Sequence, residues 1–171
     1  RNIVHLDIKP QNIIMSAPAR LIDLSLARGT DQPIHPRSPV GTLKYMAPEQ
    51  CDPHRFSNLG PPADIWGIGV TLYWTLVNHS PFPKPNRDPE AHLEERFPQL
   101  AHTPQPLPGS VPAALRHLVM SMLSPEPAAR PTAAEALSAF ESLTAALPKP
   151  KLWRLRLPPK LRSDPRKGET T

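Results

Sequence analysis

His5-Leu6-Asp7-Ile8-Lys9-Pro10-Gln11-Asn12, followed by Leu21-Ile22-Asp23-Leu24-Ser25, is the stretch of this chain that decides its interpretation. It places four polar side chains of different chemistry close together in sequence: Asp7, Lys9, Asn12 and Asp23. A carboxylate can orient an attacking hydroxyl group, and a lysine can neutralise charge on a phosphate. Amide and carboxylate oxygens are ligands that Mg²⁺ prefers. The stretch therefore contains the groups that phosphoryl transfer requires.

The residues around these polar groups predict short strands. Residues 2–5, 12–15 and 20–23 are rich in Ile, Leu and Val, and turn-forming residues at 16–19 separate the last two runs. We therefore expect the last two runs to form a hairpin. The polar side chains would then lie at the ends of these strands, where they can converge on one site.

Helices joined by proline-rich loops are predicted for most of the remaining chain. Prolines and glycines within 26–47 preclude a long helix and indicate an extended loop. Ala63–Val77 is apolar nearly all round and is entered through two prolines, which is typical of a buried helix. Further helices are expected after Ser110, from Thr132 with a capping box to Glu135, and, as a short one, within 88–100.

Five motifs of the chain resemble those of the protein kinase superfamily, and they occur in the family's order at near-family spacing. Residues 5–12 resemble the H-R-D-x-K-x-x-N catalytic loop, 23–25 resemble D-F-G, and Gly41–Glu49 ends in A-P-E. Asp64–Gly69 is similar to the family's central helix, and Arg130-Pro131-Thr132 to its late arginine. The resemblance covers residues 1 to about 147. It implies a fold that is mainly α with a few short β-strands, like the C-terminal lobe of a kinase.

The resemblance also implies a catalytic centre. Asp7 would accept or orient the proton of the substrate hydroxyl, Lys9 would neutralise charge on the transferring phosphate, and Thr42 would shape the site near both. Taken singly, Asp7 is more typical of a loop cap, and the alternatives for Lys9 and Thr42 are a solvated surface lysine and a turn threonine. A lysine two residues after the aspartate is similar to Ser/Thr kinases, so the implied reaction is transfer of the ATP γ-phosphate to Ser or Thr of protein substrates. The A-P-E-Q ending and the residue usage are similar to those of bacterial eukaryote-like kinases.

For the cofactors ATP and Mg²⁺, the resemblance implies a different set of residues. Asn12 and Asp23 would hold the metal, although either residue alone is more typical of an Asx-turn. Ile14 would lie beneath the adenine ring, and by periodicity alone it is a core residue of a strand. Both interpretations of Ile14 remain open at this point.

Four further residues are predicted to support the site rather than to take part in the chemistry. By resemblance, Glu49 and Arg130 would form a buried ion pair that fixes the segment ending at Glu49. Asp64 would brace the backbone around His5. His5 itself is expected to be a packed core histidine rather than a base or a metal ligand.

Departures from the family pattern limit these expectations. Leu6 replaces an arginine that often pairs with a phosphate on the activation loop, and Ser25 replaces a glycine that favours positive φ. The sequence contains no glycine-rich loop and no phosphate-binding lysine, which the family places before the catalytic loop. We therefore expect residues 1–147 to be a C-lobe fragment of the catalytic domain. Alone it would be inactive and poorly soluble, because one side of the 63–77 helix would be uncovered.

Two alternatives share parts of the pattern. A pseudokinase or scaffold would keep the fold and bind partners, which the departures at Leu6 and Ser25 favour and the intact polar groups disfavour. Small-molecule kinases of the aminoglycoside type share an aspartate, an asparagine and a second aspartate in similar order. They do not share Gly41–Glu49, which presents a peptide to the site.

Composition excludes several other classes of protein. The net charge of +5 belongs to residues 148–171, which hold eight Lys/Arg and two Asp/Glu; residues 1–147 then carry 12 basic and 13 acidic residues, or −1. We expect this basic, proline-rich tail to be disordered, with contact to an acidic membrane or a partner as the alternative, and no nucleic-acid binding. The single cysteine, Cys51, excludes an internal disulfide and fits a cytoplasmic protein. No apolar run approaches the roughly 18 residues of a membrane span.

Overall fold

The computed structural model describes residues 3–56 and 59–145. The tail predicted for residues 148–171 lies outside the described residues, as does the proposed domain boundary at 147. Within the described residues the structure is mostly helical with a few short strands, which confirms the predicted secondary-structure class. The helices are α1 Pro48–Cys51, α2 Pro61–Val77, α3 Leu93–Arg96, α4 Ala113–Met122 and α5 Ala133–Ala145, and the strands are β1 Ile3–Val4, β2 Ile13–Ile14, β3 Arg20–Leu21 and β4 Arg28–Gly29.

The strands form two small antiparallel sheets. β2 pairs with β3, with Ile13 opposite Leu21, so the predicted hairpin is confirmed. β1 pairs with β4, with Val4 opposite Arg28. β4 falls within the stretch predicted as an extended loop, because two residues are too few to give a recognisable alternation.

Helix α2 forms the centre of the core, as its apolar sequence predicts. It begins at Pro61 and ends at Val77, and the next residue, Asn78, adopts the left-handed conformation that commonly terminates helices. Trp66 and Tyr73 of α2 are at most 1% exposed and belong to a cluster that also includes Val4 of β1 and Val119 of α4. Helix α4 packs closely against α2 because α2 has a glycine at position 69. A Cβ at Gly69 would lie 2.8 Å from the Cβ of Met122.

The C-terminal helices also agree with their sequence patterns. Leu118, Val119 and Met122 of α4 are buried, as the amphipathic stripe predicts. Before α5, Thr132 Oγ1 accepts a hydrogen bond from the Glu135 amide (3.2 Å) and Glu135 Oε2 accepts one from the Thr132 amide (2.7 Å), so the capping box is present. Residues 88–100 contain α3 and a single 3₁₀ turn at Pro98–Leu100. None of the described helices is long and apolar enough to cross a membrane.

The exposed apolar surface lies elsewhere than the sequence predicts. The uncovered side was expected on α2, but the large exposed apolar side chains do not include any residue of that helix. Most lie instead between residues 3 and 24, on the strands and the loops next to them: Ile3, Ile14, Met15, Leu21, Ile22 and Leu24. Ile14 is 47% exposed, so its interpretation as a core residue is wrong.

Candidate active site

The backbone that presents Asp7 is held in an uncommon conformation. Leu6 has a φ of 66°, which is rare for a residue with a side chain. Its amide donates to Asp64 Oδ1 (2.8 Å), its carbonyl accepts from Gln50 Nε2 (2.7 Å), and its side chain is buried. These contacts compensate for the strain and fix the direction of the residue that follows.

Asp64, in the first turn of α2, connects this loop to the core. Its carboxylate accepts hydrogen bonds from the amides of His5 (2.7 Å) and Leu6 (2.8 Å). Burial raises the pKa of the Asp64 carboxyl, an effect that these two hydrogen bonds only partly offset. The geometry is that of a brace on the backbone around His5.

Asp64→Asn is expected to lower the free energy of unfolding by about 1 to 3 kcal/mol, because the amide NH₂ group would face one of the two buried N–H donors. Urea unfolding followed by tryptophan fluorescence measures this change. Asp31→Asn, at an exposed carboxylate, serves as the matched control and should leave the midpoint unchanged. Equal midpoints for both variants would contradict the bracing role.

His5 links the loop to the β2–β3 hairpin. The side chain is buried, its Nε2 lies 3.1 Å from the carbonyl oxygen of Ile22, and its Nδ1 lies 3.3 Å from the Asp7 amide. A single tautomer, protonated at Nε2, satisfies both contacts. The Ile22 amide in turn donates to the carbonyl of Asn12 (3.0 Å). The structure thus places His5 as a packed residue that connects two parts of the site.

Asp7, Lys9 and Thr42 form one hydrogen-bonded cluster. Lys9 Nζ donates to Asp7 Oδ2 (2.6 Å) and to Thr42 Oγ1 (2.8 Å), and Thr42 Oγ1 donates to Asp7 Oδ1 (2.7 Å). Burial alone would raise the pKa of Asp7, but the hydrogen bonds from Lys9 and Thr42, with the charge of Lys9, hold it below its ordinary value. Asp7 is therefore a carboxylate at neutral pH and can accept a hydrogen bond from a substrate.

Asn12 belongs to the same cluster, whereas Asp23 does not touch it directly. Asn12 Nδ2 donates to the Asp7 carbonyl (2.9 Å) and to Asp7 Oδ2 (3.2 Å), which leaves Asn12 Oδ1 as an acceptor. Asp23 is exposed and accepts a hydrogen bond from the Ser25 amide (3.4 Å). Its only connection to the cluster within the described residues runs through its neighbour Ile22, which is bonded to His5 and Asn12.

Asn12 Oδ1 and the Asp23 carboxylate are oxygen ligands of the kind that fits a magnesium ion bound mainly by phosphate and water. Mg²⁺ commonly uses one or two protein oxygens and takes its other ligands from the substrate. The described residues contain no group of three or more His, Cys, Asp or Glu side chains that could hold a metal by themselves.

Glu49 and Arg130 form a buried bidentate pair. The guanidinium group donates to Glu49 Oε1 (2.6 Å) and Oε2 (2.8 Å), and both side chains are at most 2% exposed. Arg130 also donates to the carbonyls of Ser124 (2.8 Å) and Pro62 (2.9 Å), and lies over the Trp66 ring. The pair therefore fastens α1, which follows Thr42, to the beginning of α2.

Sequence reasoning gave no role to Gly41 or Gln50. Gly41 has a φ of 123°, and a Cβ there would lie 2.9 Å from Met46 Cγ and 3.0 Å from the Leu6 carbonyl oxygen. Gln50 Nε2 donates both to the Leu6 carbonyl (2.7 Å) and to the Val40 carbonyl (2.8 Å). Gly41 could have been recognised from its place in the Gly41–Glu49 motif, whereas the A-P-E-Q ending contains Gln50 but does not indicate its contacts.

Gln99 and Cys51 pack against the Gly41–Glu49 segment. Gln99 Nε2 donates to the carbonyls of Leu43 (3.1 Å) and Met46 (2.9 Å) and lies 3.2 Å from Cys51 Sγ. Cys51 is fully buried, and burial raises the pKa of its thiol. It is therefore a protonated, packed side chain.

Comparison with known proteins agrees with this geometry. Residues 1–140 match the protein kinase domain family. The probable serine/threonine-protein kinase PkwA of Thermomonospora curvata is 35% identical over 139 residues, which cover 80% of this chain and 17% of that protein. The putative serine/threonine-protein kinase R436 of Acanthamoeba polyphaga mimivirus is 31% identical over 145 residues, 78% of this chain and 47% of that protein. Death-associated protein kinase dapk-1 of Caenorhabditis elegans is 36% identical over 91 residues, 51% of this chain and 6% of that protein. The chain thus spans less than half the length of each of these relatives.

Proposed function

Because the chain belongs to the protein kinase family, we propose that it carries the catalytic centre of a serine/threonine protein kinase, which transfers the γ-phosphate of ATP to hydroxyl groups of proteins. The observation that carries this proposal is the closed cluster of Asp7, Lys9 and Thr42, with all three contacts between 2.6 and 2.8 Å. Serine/threonine specificity is supported by the lysine two residues after Asp7 and by the names of the similar proteins.

Each member of the cluster has a distinct role in this proposal. Asp7, ionised at neutral pH, accepts the hydrogen bond of the substrate hydroxyl and orients its oxygen toward the phosphate. Lys9 holds Asp7 in place and offsets charge on the transferring phosphate. Thr42 fixes both side chains and brings the peptide-presenting segment against them. Positioning and electrostatic stabilisation are what this reaction demands of a protein.

ATP and Mg²⁺ belong to the proposal on the strength of the family and the available donors. Asn12 Oδ1 and the Asp23 carboxylate are the oxygens that would hold the metal, which when bound offsets the negative charge of the phosphates. The 47% exposure of Ile14 leaves an apolar side chain free to contact an adenine ring. Because no glycine-rich loop or phosphate-binding lysine occurs in this sequence, we expect the 171 residues alone to be inactive.

Phosphate transfer by the full-length protein that contains these residues tests the proposal. With γ-labelled ATP, Mg²⁺ and a mixture of unphosphorylated proteins, we expect label on Ser and Thr, and none from the 171-residue chain alone. A folded full-length protein that binds nucleotide but transfers no phosphate would contradict the proposal and favour the scaffold alternative. Transfer to a small molecule only would favour the aminoglycoside type.

A further inference from the structure

A cavity of about 410 Å³ opens beside the catalytic cluster and is the source of this inference. We call it the basic groove. Its wall includes Thr42, whose hydroxyl group is 2.7 Å from the Asp7 carboxylate. The groove therefore begins at the point where the substrate hydroxyl is oriented. It is lined by Gly41, Thr42, Leu43, Lys44, Lys84, Pro85 and Arg87.

All charged side chains in this lining are positive. Lys44, Lys84 and Arg87 are exposed, and none of them forms an ion pair within the described part of the chain, where the salt bridges are Lys9 with Asp7 and Arg130 with Glu49. Lys44 lies over the Trp74 ring, 5.5 Å from its centroid, a contact that positions the lysine but leaves its charge in place. The basic groove thus holds three cations without a carboxylate partner.

Three neighbouring acidic side chains, Glu94, Glu95 and Asp88, form no ion pair with the cations of the groove within the described residues. Glu95, which lines the adjacent cavity together with Lys84, accepts a hydrogen bond from Asn86 Nδ2 (3.0 Å). Asp88 next to Arg87 accepts one from the Glu90 amide (3.0 Å). Glu94 lines that adjacent cavity as well, and none of the three carboxylates lies within ion-pair distance of Lys84 or Arg87 among the described residues. The positive charge of the groove is therefore available to a ligand.

The groove lies within reach of a protein substrate whose acceptor hydroxyl group is at Asp7. An extended peptide advances about 3.3 to 3.6 Å per residue, so the residues next to a Ser or Thr at Asp7 reach beyond Thr42 within one or two steps. We propose that the basic groove binds an acidic side chain of the protein substrate, located a few residues from the acceptor, through Lys44, Lys84 and Arg87. This inference rests on the proposed kinase function. An apolar occupant is disfavoured because it would desolvate three charged groups without pairing them.

Peptide binding to the full-length protein in the absence of ATP tests the inference independently of catalysis. The probes are three fluorescently labelled peptides with one central Ser, flanked by Glu, by Ala or by Lys, and the readout is fluorescence anisotropy. We expect the Glu peptide to bind about tenfold more tightly than the Ala peptide, since each exposed ion pair contributes a few-fold at most. The preference should weaken at high ionic strength, where exposed charges are screened.

Charge reversal identifies the groove as the origin of the preference. The double variant Lys84→Glu with Arg87→Glu should remove the preference for the Glu peptide. Arg55→Glu is the matched control, because Arg55 is an exposed cation in a cavity that shares no residue with the basic groove. It should bind all three peptides as the parent protein does.

The outcomes separate this inference from the proposed function. Equal binding of the three peptides, or a preference that survives the double charge reversal, overturns the inference whether or not phosphate is transferred. A preference that disappears in the double variant and persists in Arg55→Glu supports it. If the Glu peptide binds in this way but neither it nor any protein becomes phosphorylated, the result supports the basic groove as a binding site for acidic side chains and contradicts the proposed kinase function.

Discussion

Asp7→Asn in the full-length protein is expected to lower the rate of phosphate transfer by about 10²- to 10⁴-fold, the usual contribution of a positioned acid–base group. Asparagine preserves the size of the side chain but removes the negative charge that accepts hydrogen bonds from Lys9 and Thr42. Its NH₂ group would also face one of these donors. The substrate hydroxyl would then lose its acceptor, while ATP would still be able to bind.

The measurement is steady-state kinetics with a saturating acceptor, together with a nucleotide-binding assay. Glu141→Gln provides the control, because Glu141 is an exposed carboxylate on α5. We expect its rate to equal that of the parent. If Asp7→Asn retained the parental rate and stayed folded, Asp7 would have no catalytic role.

The lowered pKa of Asp7 sets the pH range over which this prediction holds. In the unfolded chain the carboxyl titrates near its ordinary value of about 3.9, and in the folded protein it titrates lower. The stabilisation from its contacts with Lys9 and Thr42 is thus complete above the unfolded pKa and is lost as the pH falls through the folded pKa. Protonation of Asp7 should therefore not reduce the rate anywhere in the neutral range.

Local sequence patterns predicted much of the fold. The apolar run of α2, the turn between β2 and β3, and the Thr132–Glu135 capping box all depend on neighbours within a few positions, which is the range that periodicity and capping rules cover. β4 was missed because its two residues acquire their strand geometry from pairing with β1, far away in the sequence. The core interpretation of Ile14, one of the two left open, failed because alternation in a strand does not reveal whether anything covers its face.

The candidate site was predicted in part through the family resemblance. The resemblance identified Asp7, Lys9, Asn12 and Thr42, which the structure brings together, and Asp23, whose carboxylate has no direct contact with them among the described residues. Their chemical roles remain predictions. The A-P-E-Q ending includes Gln50 but gives no indication of its structural role, because its contact with Leu6 joins positions 44 residues apart.

Arg130→Met is expected to lower the free energy of unfolding by about 3 to 5 kcal/mol, the effect of leaving one member of a buried ion pair without its partner. The Glu49 carboxylate would keep its burial and lose both hydrogen bonds from the guanidinium group. The carbonyls of Ser124 and Pro62 would also lose a donor. Urea unfolding monitored by tryptophan fluorescence measures the change. Both the midpoint and the dependence of the unfolding free energy on urea concentration are compared, because a change in the latter indicates an altered native or denatured state.

Two further variants distinguish the pair from simple loss of packing. Glu49→Leu combined with Arg130→Met removes both charges, and we expect it to be less destabilised than Arg130→Met alone, because replacing a buried pair by apolar side chains is often nearly neutral. Arg130→Lys keeps the charge but not the bidentate geometry, so its stability should be intermediate. If the destabilisations of Glu49→Leu alone and Arg130→Met alone simply added in the double variant, Glu49 and Arg130 would be energetically independent.

The same pair should affect catalysis from a distance. Glu49 lies in α1, a few residues after Thr42, and Gln50 beside it holds the Leu6 carbonyl that precedes Asp7. Loosening α1 would therefore displace Thr42 and the Leu6 backbone together, although the described contacts of Glu49 and Arg130 do not include Asp7, Lys9 or Thr42. We expect Arg130→Lys, measured well below its unfolding midpoint, to reduce phosphate transfer while nucleotide binding is retained. An unchanged rate in a measurably destabilised variant would show that α1 stabilises the fold without positioning the site.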